Sequence, residues 1–324
     1  MRRALRRGLA AAALAGLIAG CAAPGVRPAL QSTTLARHVE LTDTPFHPQE
    51  KYQCGPAALA TVLGASGVDV APEKLTDQVY VPARKGSLQI EMLAAARRNG
   101  TLAFVIPNRL EALLEELEAG NPVLVLLNLG LSWIPSWHYA VAIGYDLDRA
   151  EVMLRSGTME RQVMSLDTFM HTWNRSERWA FVTMPPGRVA HSVSEQSGEE
   201  ATLAFARVAD PRAAYQAYEA ALRRWPDNLP LAIGLGNTAY RSGDLEGARR
   251  AFETASQRHP EDGAVLNNLA YVLARQGRTV AARKLAQRAL GLGERWQDET
   301  LETLRMIDAL EKDSKSAGRR PKRR

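Results

Sequence analysis

The second half of this chain repeats with a period of 34 residues, and that limits its fold more than any other feature. Pro226 recurs as Pro260, Leu235 as Leu269, Gly243 as Gly277 and Ala248 as Ala282. Ala221, Ala255 and Ala289 form a set of three, and Tyr218 pairs with Phe252. A unit of this length cannot bury its apolar face alone, so successive copies must stack on one another. Small residues let two helices cross closely, and the proline ends the second of them. From residue 201 onward no strand-like alternation interrupts the helical pattern.

The strongest copy, 229–260, carries Leu235-Gly236, Ala248, Phe252, Ala255 and Pro260 at offsets that resemble a tetratricopeptide repeat. A degenerate copy precedes it and a fuller one follows, which assigns 201–294 to an all-α solenoid. The amphipathic stretch around 296–310 predicts a capping helix over 295–312, and 313–324 reads as a basic tail. Concave faces of such solenoids hold protein partners, so a partner or a substrate protein is expected there.

At roughly 150 residues per domain, 324 residues leave room for one further domain ahead of the repeats. Residues 1–20 read as an export signal: arginines, an apolar run, then small residues. Leu17-Ile18-Ala19-Gly20-Cys21 resembles a lipobox, which implies that Cys21 is lipidated and heads a tether over 21–44. Each buried acyl methylene contributes about 0.8 kcal/mol, so paired chains anchor firmly. With Ala22 next, the usual sorting pattern implies the outer membrane, facing the periplasm.

The net charge of +6 is an effect of the two ends. Arg2, Arg3, Arg6 and Arg7 lie in the leader, and residues 312–324 hold seven cations against Asp313. The folded middle is net acidic, which argues against a nucleic-acid-binding face. Two cysteines exclude a disulfide-rich scaffold. Once Cys21 carries lipid, Cys54 is a lone thiol exported to an oxidising compartment, either buried and inert or kept for its chemistry.

Residues 45–186 mix helical and strand patterns. Helices are predicted over 55–63, 72–79, 88–99, 109–118 and 166–173, and strands over 102–106, 123–127, 138–145, 151–154 and 179–183. Pro185-Pro186-Gly187 stops the last strand, and the serine-rich stretch 187–200 is expected to be a linker.

Within this domain Cys54 opens a helix in Cys-Gly-Pro-Ala-Ala-Leu, where the helix dipole favours a thiolate. His138 opens a strand from which an imidazole can reach that sulfur and form a thiolate–imidazolium pair. Gln49 can donate its amide to an oxyanion beside the cysteine's own N–H. Together these parts specify acyl transfer at a carbonyl. A lone cysteine of this kind is otherwise a small core residue. Trp133, Trp137 and Tyr139 can line a groove beside the base or simply pack the loop. The remaining histidines show no ligand spacing, so neither a metal nor a cofactor is expected.

The Gln–x4–Cys-Gly-Pro-Ala-Ala-Leu block, the His-Tyr-Ala-Val-Ala-Ile-Gly-Tyr-Asp strand and the Met164-Ser-Leu-Asp-Thr-Phe169 segment resemble C39 cysteine peptidases over about residues 45–184. The resemblance implies a papain-like α+β fold. It makes Cys54 the nucleophile, His138 the base and Gln49 the oxyanion donor, with Gln53 the rival for that last role. The family's Asp-Pro after the histidine strand is missing, because Val152-Met-Leu-Arg-Ser156-Gly157 holds no carboxylate. Ser156 or a backbone carbonyl can orient the imidazole instead. Asp146, at the hairpin turn, is the alternative carboxylate. The expected function is peptide-bond hydrolysis through a thioester. The alternative is a non-catalytic C39-like adaptor that scaffolds an envelope complex. No ATP-binding motif is present, so transport-coupled leader processing is not implied.

Overall fold

A computed structural model describes residues 34–48 and 53–318. Cys21, Gln49, the leader and the last six residues lie outside the described residues. Among the described residues no helix is long and apolar enough to cross a membrane.

The N-terminal domain is an antiparallel sheet between two helical layers. Its strands are β1 (His38–Glu40), β4 (Leu102–Val105), β5 (Val123–Asn128), β6 (Trp137–Asp146), β7 (Glu151–Ser156), β8 (Met159–Ser165) and β9 (Ala180–Met184). They run in the order β4-β9-β5-β6-β7-β8, with β1 also paired to β6. A separate two-stranded ribbon joins β2 (Tyr80–Val81) to β3 (Gly86–Ser87). The helices are α1 (Cys54–Ala65), α2 (Pro72–Val79), α3 (Gln89–Arg98), α4 (Leu110–Glu118) and α5 (Leu166–Asn174).

The two-residue period of the strands sorts the core. Leu124 and Leu126 of β5 join Tyr139, Val141 and Ile143 of β6 beneath α1. Val123, Val125 and Leu127 join Ala140 and Ala142 on the opposite face, against Leu113 and Leu117 of α4 and Phe169 and Trp173 of α5. Both faces are covered, which is why β5 reads as an unbroken apolar run.

The second half stacks α6 (Glu195–Ala206), α7 (Pro211–Arg224), α8 (Leu229–Arg241), α9 (Leu245–Arg258), α10 (Gly263–Arg275), α11 (Thr279–Leu290) and α12 (Gln297–Gly318). The repeat signature has direct physical causes. A side chain at Gly236 would run into the Phe252 ring, so the small residue admits the neighbouring helix. Asp210, Asn228, Asp244 and Asp262 accept backbone N–H groups as helix N-caps. Gly243 and Gly277 adopt φ of +80° and +79° in equivalent turns.

The structure differs from the sequence reading in four places. Residues 38–40, expected in the tether, form β1 and pair with Gly144–Asp146 of β6. Residues 159–165, given no element in the sequence reading, form the edge strand β8, where exposure suits polar side chains. The stretch 187–200, expected as a linker, is docked. Ala190 and Val193 are buried, and α6 delivers Ala201 and Phe205 into the sheet domain's core together with Ala217 of α7. Buried Glu116 accepts from Ser192 N (2.6 Å), Ser192 Oγ (2.7 Å) and Asn121 Nδ2 (2.7 Å). Arg224 donates to the carbonyls of His191 (2.7 Å) and Val193 (3.1 Å) and stacks over Trp225. The final helix continues to Gly318, beyond the expected end at 312.

This shared core generates a prediction. Phe205→Ala removes a fully buried ring from the junction and should destabilise the protein by about 3–5 kcal/mol. Calorimetry of the full chain should show one cooperative transition that moves down as a whole. A variant that lowers only a separate repeat transition would show that the junction does not couple the halves.

Candidate active site

The sequence places Cys54 at the first residue of α1 and His138 at the second residue of β6. The fold brings both to one cleft with a volume of about 1030 Å³. Its lining is drawn from Arg84 to Gln89, from Pro135 to Trp137 and from Arg175 to Glu177, with Leu126 and Tyr139.

Local packing explains why Cys54 sits where it does. A side chain at Gly55 would collide with Ser87, so the glycine allows β3 to lie against the first turn of α1. Tyr139 OH donates to the Ser87 carbonyl at 3.1 Å, tying the β2–β3 ribbon to β6. The Ser87 hydroxyl itself is buried and has no hydrogen-bond partner among the described residues. Gln53 is the residue before α1 and its side chain makes no capping bond. The backbone N–H groups of the first helical turn are therefore not capped by it.

Ser156 Oγ lies 2.9 Å from His138 Nε2. Nδ1 is thus the ring nitrogen left for chemistry. Asp146 stands at the far end of β6, where Oδ1 accepts from Asp148 N (3.0 Å) and Arg149 N (2.9 Å) and shapes the turn. Eight residues of strand separate it from His138, roughly 27 Å. The orienting contact therefore comes from Ser156 and not from Asp146. No hydrogen bond joins Cys54 to His138 among the described residues.

The electrostatics differ from the expected ion pair. Burial pushes the Cys54 thiol up, and the backbone N–H groups of Tyr139, Gly55 and Cys54 offset this only in part. Burial pushes the His138 imidazole down from its ordinary value. A carboxylate beside the ring would oppose that shift, whereas the Ser156 hydroxyl carries no charge. Both shifts favour the uncharged forms of the thiol and the imidazole. A hydroxyl can donate or accept, so it holds the ring without forcing the tautomer as a carboxylate does.

Four residues in or beside the site had no clear signal in the sequence. Arg155 is buried beside Ser156 and donates to the carbonyls of Thr42 (2.9 Å), Thr44 (2.9 Å) and Glu160 (2.6 Å). It straps the segment leading to the cysteine onto the sheet, and a lone arginine in an apolar strand was its only cue. Arg175 donates to the carbonyls of Gly130 and Asn128, bracing the β5–β6 hairpin. Glu177 and Arg178 both adopt left-handed φ, at 56° and 55°, beside the cleft. Of the three aromatics, Trp137 lines the cleft, Tyr139 is buried beneath it, and Trp133 projects into solvent.

Residues 41–180 match the family described as Peptidase_C39 like. Residues 209–254 and 233–299 match two models described as tetratricopeptide repeat. The chain thus carries a C39-like peptidase domain, with a cysteine-peptidase fold, followed by tetratricopeptide repeats. Among solved structures it is similar to a C39-like peptidase candidate from Bacillus anthracis (18% identity, 49% of this chain and 100% of that one, TM-score 0.40). It is also similar to the peptidase domain of Streptococcus ComA, a bi-functional ABC transporter (21%, 44% and 98%, TM-score 0.37). The repeats are similar to those of MamA (21%, 31% and 73%, TM-score 0.29 for the R50E mutant). No curated protein gives a match to this chain.

The neutral pair sets the pH response. Alkylation of Cys54 by iodoacetamide should be slow near pH 7 and climb only as pH approaches the raised thiol pKa, above the ordinary value of 9.0. A plateau of fast labelling extending below pH 7, as a thiolate–imidazolium pair gives, would contradict this reading. His138 also links to stability with a definite sign. Its folded pKa lies below the unfolded one, so the unfolded chain binds the proton first, and stability should fall as pH drops below about 6.5.

Proposed function

We propose that this protein is an exported, lipid-anchored cysteine peptidase that hydrolyses a peptide bond through a Cys54 thioester. The observation that carries the reading is the convergence of Cys54 and His138 on one cleft, with His138 Nε2 held by Ser156. His138 Nδ1 takes the thiol proton as the sulfur adds to the scissile carbonyl. The resulting oxyanion is met by the Cys54 N–H and, on this reading, the side-chain amide of Gln49. Collapse expels the amine, which takes the proton back from the imidazolium and leaves a thioester. Water, deprotonated by the same imidazole, then releases the acid.

The segment leading into the repeats is tied near the start of β5, where Arg188 donates to Asn121, while the cleft is lined by Leu126 toward the other end of that strand. One strand length, roughly 20 Å, separates the two. A substrate protein held by the repeats would reach the cleft through an extended segment, and a protein partner would leave the cleft open. Lipidation of Cys21 would place the molecule at the outer membrane, facing the periplasm.

One observation favours a second reading, a non-catalytic adaptor with a C39-like domain. The hydroxyl of Ser156 stands where a carboxylate would support the imidazolium, and the thiol is pushed up. Labelling with a thiol-directed peptidase probe separates the two. Labelling that depends on His138 indicates a working pair, whereas slow labelling unchanged by His138→Ala indicates the adaptor.

If the peptidase reading holds, Cys54→Ala should abolish hydrolysis and His138→Ala should lose a comparable factor, since the two act as a unit. Gln49→Ala should lower turnover by about 10²–10³-fold. Asp146→Asn should be nearly silent, because its carboxylate serves the turn. Peptide hydrolysis that survives Cys54→Ala would end the assignment. For the anchor, Cys21→Ala should yield an unprocessed or soluble form, and its retention in membranes at the mature size would refute lipidation.

A further inference from the structure

We propose that the hairpin joining β5 to β6, residues 129–136, is a preformed apolar prong that grips large apolar side chains of a polypeptide lying in the Cys54–His138 cleft. This rests on the peptidase reading for the location of the substrate and adds the chemical class of side chain recognised. The hairpin presents Leu131, Trp133 and Ile134 to solvent, with Trp133 76% and Ile134 67% exposed. Isolated apolar residues on a surface are ordinary, but a contiguous cluster on one projecting element is not.

The prong is rigid. Buried Asn128 accepts from Gly130 N (3.0 Å) and Ser136 N (2.9 Å) through its Oδ1. Leu129 N donates to Ser136 O at 2.9 Å, and Leu131 and Ile134 exchange backbone hydrogen bonds at 3.1 Å. A side chain at Gly130 would strike the Ile134 carbonyl, so glycine is what lets the turn close this tightly. Arg175 clamps the base of the hairpin from the α5–β9 loop. So much internal bonding behind an exposed apolar tip means little conformational entropy is lost when the tip binds.

Its position names the occupant. The hairpin's own root, Pro135 to Trp137, is one wall of the cleft, and His138 is the next residue on β6. Leu88 lines the same cleft, with exposed Ile90 two residues further along the chain, on α3. A polypeptide lying in the cleft therefore meets apolar groups from the hairpin root and from Leu88. Insertion of the tip into a bilayer would instead press the cleft mouth against headgroups and shut it to a polypeptide.

The test uses the full chain carrying Cys54→Ala, so that chemistry plays no part. Two short fluorescein-labelled peptides of Gly, Ser and Asn are compared by anisotropy, one of them with Leu and Phe at its centre. The apolar peptide should bind about tenfold tighter, the scale of apolar pocket discrimination. Adding Trp133→Ser and Ile134→Ser should erase that preference while the circular dichroism spectrum and Tm stay unchanged, as expected for exposed residues. Equal binding of the two peptides by the parent, or a preference that survives the double change, would overturn the proposal. So would loss of sedimentation with phosphatidylglycerol vesicles in the variant alongside an intact peptide preference, which would assign the tip to a membrane. If hydrolysis never depends on Cys54 but the binding preference is present, the peptidase reading falls and the prong stands. If hydrolysis depends on Cys54 and the peptides bind equally, only the prong falls.

Discussion

One ten-residue strand holds the peptidase domain together. β6 pairs with β5, β7 and β1. It contributes Tyr139, Val141 and Ile143 to one core layer and Ala140, Ala142 and Tyr145 to the other. Its first residues carry Trp137, His138 and the hydroxyl of Tyr139 that ties down the β2–β3 ribbon. The imidazole therefore stands on the least deformable element of the domain. The sulfur stands on the first turn of α1, whose Leu59, Leu63 and Val62 are packed under that same strand. Core packing thus sets where Cys54 and His138 stand.

What such a site can do depends on charge. Both reacting groups are desolvated, and burial favours their neutral forms. The partner of His138 is a hydroxyl, so charge separation has to wait for a substrate whose oxyanion and surroundings stabilise it. Such an arrangement lowers the general reactivity of the thiol, since the thiolate is the reactive form. On the proposed peptidase reading, the proton would pass from sulfur to Nδ1 as the sulfur adds, in place of attack by a standing thiolate.

Much of this was legible in the residues, for identifiable reasons. The 34-residue period shows because each repeat needs the same glycine turns and the same small contacts. Cys54 and His138 show because their neighbours, Gly-Pro-Ala-Ala and Tyr-Ala-Val-Ala, are bound to close helix–sheet packing. Ser156 appeared only as the residue left when no carboxylate was found, and the 2.9 Å contact to His138 gives it a position. The docked stretch 187–200 was misread because its serines look like linker composition. In the fold Ser192 satisfies buried Glu116, and Ser194 caps α6 through the N–H of Ser197. Polar residues that serve buried partners cannot be told from solvated ones by composition. Arg155 and Arg175 escaped for a similar reason, since their partners are carbonyls distant in sequence.

The central claim is that His138 works as a neutral imidazole held by a neutral hydroxyl, and its own titration tests this most directly. NMR of the imidazole in the full-length protein should show His138 titrating below 6.5, with Ser156→Asp moving it upward by about one unit or more as a carboxylate arrives beside Nε2. A wild-type His138 that stays protonated above pH 7, and is indifferent to Ser156→Asp, would contradict the account.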